Sequence, residues 1–336
     1  MAISILWIDG FDEIGNTDQK YSASERSSSQ WSGPNTAYGY GRSLKVQDGW
    51  VAPTLSGAPF LVLFSAFDLI LYYNYDVTQL QFEFWDEDAG AVQCYLKTAL
   101  NPITRGYDLQ LYRGASLLYT WTGVLQHGLW QHVSLRCLVN PVSGSVTLAV
   151  NGVDKGTFTG NTQNTANTRV DRFRLNMTTY NERVNVDNWI IATGLATDPL
   201  LPVCRVYGAL TPNANVAVQW TPSAGQNWQT VDEIPPNDGD YNSTATSGYQ
   251  DVFSHAAPAS VGDTVLAVRA NARAYANAGD QIQNLVRVAG TDYPGAAKSP
   301  TTSYFSYGHI WQNNPATSAP WTPTEAINAG FGYRRM

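Results

Sequence analysis

The chemistry this chain could carry begins at LQFEFWDED, residues 80–88, where Glu83 and Glu87 stand four apart and share one face of an extended strand. Hydrolysis of a glycosidic bond with retention needs two carboxyl groups about 5–5.5 Å apart, one protonated and one ionised. Between these two glutamates, on the same face, stands Trp85, which carries no charge. The segment therefore reads as a solvated face running into an acidic turn, and no catalytic residue is assigned. That turn, Asp86-Glu87-Asp88, offers oxygen ligands to a hard cation such as Ca²⁺, as do Asp238 and Asp240 around Gly239. Neither cluster has the 12-residue spacing of an EF-hand loop. Asp86, Asp88, Asp238 and Asp240 are calcium candidates whose plainer reading is a hydrated turn.

Other chemistries lack their residues. His127 and His132 flank Trp130 and stand five apart, while His255 and His309 are isolated. No HExxH or CxxC pattern appears, so no transition-metal site is expected. No G-x-S-x-G and no glycine-rich phosphate cradle are present either, and no cofactor is expected. Cys94, Cys137 and Cys204 cannot all pair within one chain, and the alternation around the first two, VQCYL and VSLRCLV, places them as core thiols. What remains is aromatic recognition. Trp31, Tyr38, Tyr40, Tyr72, Tyr73, Tyr75 and Trp85 are candidates for contact with glycans or with other proteins, because planar rings beside amides suit both.

These candidates must be positioned by strands. In the 336 residues the period of two dominates: Leu80, Phe82 and Phe84 alternate with Gln81, Glu83 and Trp85, and Val133, Leu135, Cys137 and Val139 share a face. Val146, Leu148 and Val150 lead into Asn151-Gly152, a dipeptide that accepts the positive φ of a tight hairpin. Further strands are expected at 59–67, 92–97, 108–112, 117–121, 170–176 and 184–192. A break falls at GLATDPLLP, 194–202, after which strands are expected at 203–210, 215–220, 251–254, 264–274 and 282–289. Thr322, Pro323 and Glu325 form the start of a short C-terminal helix, with Gly330 beyond its end. The expected fold is all-β, an antiparallel sandwich or barrel over residues 1–197 followed by a smaller β-sandwich over 198–336 that ends in a helical cap.

Composition narrows the partners. The net charge of −7 disfavours nucleic acid, whose binding rests on neutralised phosphates. Aromatics at 12% with only 14% charged residues argue against disorder. No apolar run approaches the roughly 20 residues that span a bilayer, so membrane insertion is not expected. The start, MAISILWIDGFDE, has no basic residue ahead of its short apolar run, so no signal peptide is expected and synthesis is placed in a cytoplasm.

The ordered segments GFD (10–12), SLKV (43–46), LQFEFW (80–85), GLWQHVSLRCLVNPVSGSVTLAVNG (128–152) and VDNWIIATG (186–194) resemble the laminin-G-like, concanavalin-A-like jelly roll. Beyond it, WQTVDEIPPNDGDY (228–241), GYQDVFS (248–254), VLAVRANARA (265–274) and the ending at 304–332 resemble the C-terminal module of structural proteins of tailed bacteriophages. That resemblance implies a non-catalytic virion protein, a tail, fibre or baseplate component with host-glycan adhesion, docked through residues 198–336. It implies other virion proteins as partners, a homo-oligomer with a trimer favoured, and a host surface polysaccharide as a further partner. A capsid decoration protein, a glycoside hydrolase and a free lectin are the alternatives. Glucanases that share the jelly roll carry E-x-D-x-x-E or E-x-D-x-E, and this sequence departs from that pattern at Trp85.

Overall fold

The computed structural model describes residues 3–336 apart from 12–19, 21–24, 27–30, 34–42, 47–48, 73–79, 178–183, 209, 257–263 and 278. It is all-β, with one short α-helix. The chain forms two compact units that part between Val206 and Tyr207.

The first unit is a two-sheet sandwich. Its strands are β1 (Ser4–Asp9), β2 (Trp31–Gly33), β3 (Ser43–Val46), β4 (Gly49–Val51), β5 (Val62–Leu71), β6 (Leu80–Asp86) and β7 (Ala91–Leu100). There follow β8 (Tyr107–Arg113), β9 (Ser116–Leu125), β10 (Gln131–Leu138), β11 (Gly144–Val150), β12 (Val153–Gly160), β13 (Arg172–Met177) and β14 (Val184–Thr193). The eight-stranded sheet runs β12-β11-β10-β5-β14-β3-β2, with β1 also pairing β14. The six-stranded sheet runs β4-β13-β6-β7-β8-β9. Every described pairing is antiparallel, so alternation sends one set of side chains into the sandwich and the other outward.

Aromatic rings fill the space between the sheets. Phe67 of one sheet meets Phe82 and Phe173 of the other at centroid distances of 5.0 and 6.1 Å, and Phe84 packs edge-on against Phe173 at 5.2 Å. Trp189 is fully buried and donates its indole N–H to Ser65 Oγ over 3.0 Å, so its one polar atom is satisfied. Cys94 and Cys137 approach to 3.5 Å across the sandwich, both free and fully buried. The Asn151-Gly152 hairpin has φ of 51° and 75°, the two positive values a tight connection requires.

The strand expected at 203–210 does not form among the described residues. The segment after β14 instead lies as irregular chain on the outer face of the eight-stranded sheet. There Leu201, Ala196, Cys204 and Val206 pack with Ile3, Val62, Phe64, Ala66, Ile190 and Ala192. A bulge in β14 between Asp187 and Ile190 puts Asn188 at φ 51°, from where its amide donates to Asp68 Oδ2 and accepts from the Val206 amide. The head of the expected second domain thus belongs to the first unit, because its apolar residues complete that unit's outer core.

The second unit contains β15 (Pro212–Val218), β16 (Thr221–Pro222), β17 (Asn242–Ser243), β18 (Gln250–His255), β19 (Val268–Ala274), β20 (Ile282–Val288), β21 (Thr291–Pro294), β22 (Phe305–Trp311), α1 (Pro323–Asn328) and β23 (Gly330–Arg335). Its main sheet runs β15-β18-β23-β20-β21, and β19 pairs with β22 separately. Ala270, Val286, Trp311, Trp321 and Ala329 form its core. Thr322 caps α1 as the sequence suggests, with reciprocal bonds to Glu325. The helix does not end the unit, however: β23 follows it at once and takes the middle of the sheet. Glycines make that placement possible, since a Cβ on Gly332 would collide with the carbonyl oxygen of Asp251.

Candidate functional site

Alternation decides which side chains reach the outer face of the six-stranded sheet. Phe82, Phe84, Cys94, Leu96, Leu109, Leu111, Phe173 and Leu175 are fully buried. Their strand neighbours Gln81, Glu83, Trp85, Tyr95, Lys97, Gln110, Tyr112, Arg174 and Asn176 therefore point the other way. Register arranges them in two rows. One crosses all six strands as Trp50, Asn176, Gln81, Lys97, Gln110 and Thr120. The second, beside it, is Arg174, Glu83, Tyr95 and Tyr112. With strands about 4.8 Å apart, the longer row extends for about 24 Å.

The second row is tightly coupled. Glu83 is buried, accepts 2.6 Å from Asn176 Nδ2, and has its Oε2 3.3 Å from Arg174 Nε. Burial raises its pKa above the ordinary carboxylate value and outweighs the opposing effects of Asn176 and Arg174. The Arg174 guanidinium lies over the rings of Trp50 and Trp85, 4.2 and 4.0 Å from their centroids. Burial lowers the Arg174 pKa, against the pull of Glu83. Tyr95 and Tyr112 stack at 5.3 Å with an 11° interplanar angle, and burial raises the Tyr95 pKa.

The longer row is looser. Among the described residues, the side chains of Gln81 and Lys97 have no hydrogen-bond or ion-pair partner, though both residues are half-buried. Gln110 accepts 2.9 Å from the Tyr112 hydroxyl through Oε1, which leaves its Nε2 without an acceptor among those residues. Three neighbouring strands thus present unused donors at one level of the sheet.

The two glutamates of LQFEFWDED do not form a pair. Glu83 is held at the sheet face by Asn176 and Arg174, while Glu87 lies beyond the end of β6, exposed, and bound to Arg172 at 2.5 Å. A bulge opposite Phe84 and Trp85 lies in β7 and leaves the alternation of β6 unbroken; the two glutamates are separated instead by the end of β6 at Asp86 and by their different arginines. The extra residue is Gln93, whose buried amide donates to Thr165 Oγ1 and to the carbonyls of Asn167 and Arg169, and so anchors the loop before β13.

The acidic turns are likewise occupied by protein groups. Asp86, fully buried, accepts from Thr165 Oγ1 at 2.5 Å and Asn167 Nδ2 at 3.0 Å. Asp88 and Asp171 bind Arg169 at 2.6 and 2.9 Å, so a guanidinium supplies the positive charge a calcium ion would. Asp238 takes two bonds from Arg273, at 2.6 and 2.7 Å, and Asp240 accepts from Asn237. Among the described residues, no group of three or more His, Cys, Asp or Glu side chains converges as metal ligands would.

Of the aromatic candidates whose side chains are described, Trp85 falls on the two-row face and Tyr72 does not. Tyr72 lies just beyond β5, half-buried and with a partner. The backbone of Trp31 pairs with Lys45 in β2, while Tyr38, Tyr40, Tyr73 and Tyr75 lie outside the described residues. Trp50, Gln81, Tyr95, Lys97, Gln110, Tyr112, Arg174 and Asn176 were not singled out by sequence reading. Their signal was the polar phase of alternating strands, which becomes a site only once the register is known.

No family model matches the sequence, and no curated protein does. Among solved structures the chain is similar to an endo-β-1,4-glucuronan lyase from the fungus Trichoderma reesei, at 13% identity and TM-score 0.36, over 50% of this chain and 87% of that one. It is also similar to an endo-1,3-β-glucanase from Streptomyces sioyaensis, at 11% identity and TM-score 0.36, over 58% and 98%. A third is the alginate lyase Aly36B in complex with alginate tetrasaccharide, at 9% identity and TM-score 0.35, over 59% and 99%. The expectation of a bacteriophage virion component is corrected accordingly: what these structures share with the chain is the jelly-roll sandwich, and none of the three is a virion protein.

Proposed function

We propose that the chain is a lectin-like protein that holds an extended polysaccharide across the outer face of the six-stranded sheet and leaves its glycosidic bonds intact. The observation that carries this reading is the row Trp50, Asn176, Gln81, Lys97, Gln110 and Thr120, one residue from each strand, with unused donors at its middle. Sugar hydroxyls want amide, hydroxyl and ammonium partners, and a row running across the strands presents them at regular intervals. Trp50 at its end supplies an apolar ring face. Against cleavage stands the engagement of Glu83 and Glu87 by different arginines, Arg174 and Arg172.

Affinity electrophoresis through gels cast with individual polysaccharides tests this directly, with each polymer then sized for shortening. Retardation that Gln81→Ala weakens about tenfold, without shortening of the polymer, is expected for loss of a buried hydrogen-bonding amide. Shortened polymer would overturn the non-catalytic part. Retardation unaffected by Gln81→Ala and Trp50→Ala would place binding on some other surface.

A further inference from the structure

We infer that the polysaccharide is acidic and that one of its carboxylates seats on Lys97, flanked by Gln81 and Gln110. This rests on the reading that the outer face binds polysaccharide, and it specifies the chemistry of that ligand.

The argument is one of charge and donor count. The other cationic side chains of the face are already matched: Arg174 by Glu83 at 3.3 Å, Arg172 by Glu87 at 2.5 Å. Asp108, two residues from Gln110 on β8, accepts from Asn101 Nδ2 at 2.8 Å and from the Gly123 amide at 2.6 Å. Lys97 alone on this face has no carboxylate partner among the described residues. It is already half-buried, and a polymer laid over it would remove more of its water. A neutral sugar would leave the ammonium desolvated without a counter-charge, which is costly, whereas a uronate carboxylate supplies that charge.

The neighbouring amides fit the same ligand. Gln81 and Lys97 are register partners, as are Lys97 and Gln110, so their side chains share one level on adjacent strands. Gln110 Oε1 is taken by Tyr112, which leaves Nε2 as its free group. Gln81 Nε2, Lys97 Nζ and Gln110 Nε2 together form a cluster of donors, and a carboxylate offers two oxygens and no proton to it.

The test is affinity electrophoresis of the intact chain through gels containing polygalacturonate or alginate, beside the same polymers after reduction of their carboxyl groups to alcohols. The expected result is retardation by an acidic polymer that reduction abolishes and added salt weakens. Lys97→Met should weaken it about tenfold, the scale of one charge-assisted hydrogen bond, and Lys97→Arg should restore most of it. Equal retardation by an acidic polymer and its reduced form, or an unaffected Lys97→Met, overturns the acidic assignment and leaves the polysaccharide reading standing. Absence of retardation by every polymer, reduced and neutral ones included, overturns both.

Discussion

At the scale of single residues, Glu83 and Arg174 illustrate how a functional face constrains itself. Glu83 is buried and its pKa is raised chiefly by that burial, so it binds a proton more tightly folded than unfolded. Its contribution to stability is therefore present below about 4.5, the ordinary value, and declines as pH rises through the raised midpoint. Denaturant titrations from acid to neutral pH should show this decline in the parent, and Glu83→Gln should flatten it. Arg174→Ala leaves the Glu83 carboxylate buried without its cation and should cost about 3 kcal/mol at neutral pH. In the double variant Glu83→Gln, Arg174→Ala most of that loss should vanish, because an amide needs no counter-charge. If the two losses simply add, the pair is not coupled as its geometry indicates.

At the scale of elements, the irregular segment after β14 does what a helix or strand would do elsewhere. Leu201 is almost fully buried there against Phe64 and Ile190, so Leu201→Ala should destabilise the first unit by about 2–3 kcal/mol in chemical unfolding. In the second unit, Gly332→Ala pushes a Cβ into the Asp251 carbonyl and should cost about 3 kcal/mol. The strands themselves were legible in the sequence, since alternation such as Leu80, Phe82, Phe84 and the Asn151-Gly152 turn are local signals. Residues 203–210 were misread because their apolar residues have a partner surface that no local pattern reveals. β23 was missed because Gly330-Phe-Gly332 lacks the β-branched side chains that mark a strand, its glycines being demanded by close approach to β18. The site was half legible. LQFEFW showed Glu83 and Trp85 on one face, but Arg174, Trp50 and Tyr95 join them only through the order of strands β4, β13, β6 and β7.

At the scale of the whole molecule, the candidate face belongs to one unit alone. Ligand at a hundredfold excess over its Kd should raise the stability of that unit by about 2.7 kcal/mol, measured as a shift in its unfolding transition. Gly332→Ala, confined to the other unit, should leave the affinity unchanged, whereas Leu201→Ala should lower it only where the first unit begins to unfold. A loss of binding in Gly332→Ala would mean that both units build the site.

The position of β23 has a consequence for how the chain comes off the ribosome. The first unit has all its strands by Thr193 and its outer core by Val206, yet β18 and β20 remain unjoined until residues 330–335 emerge to fit between them. At about 5–20 residues per second, synthesis of the 47 residues from the end of β20 to the end of β23 leaves the nascent second sheet open for about 2–9 seconds. During that interval β18 and β20 each carry a bare row of amides and carbonyls, a template for pairing with a neighbouring chain on the same message. Premature termination between 289 and 329, after β20 and before β23, would leave the first unit's sandwich whole and make that exposure permanent.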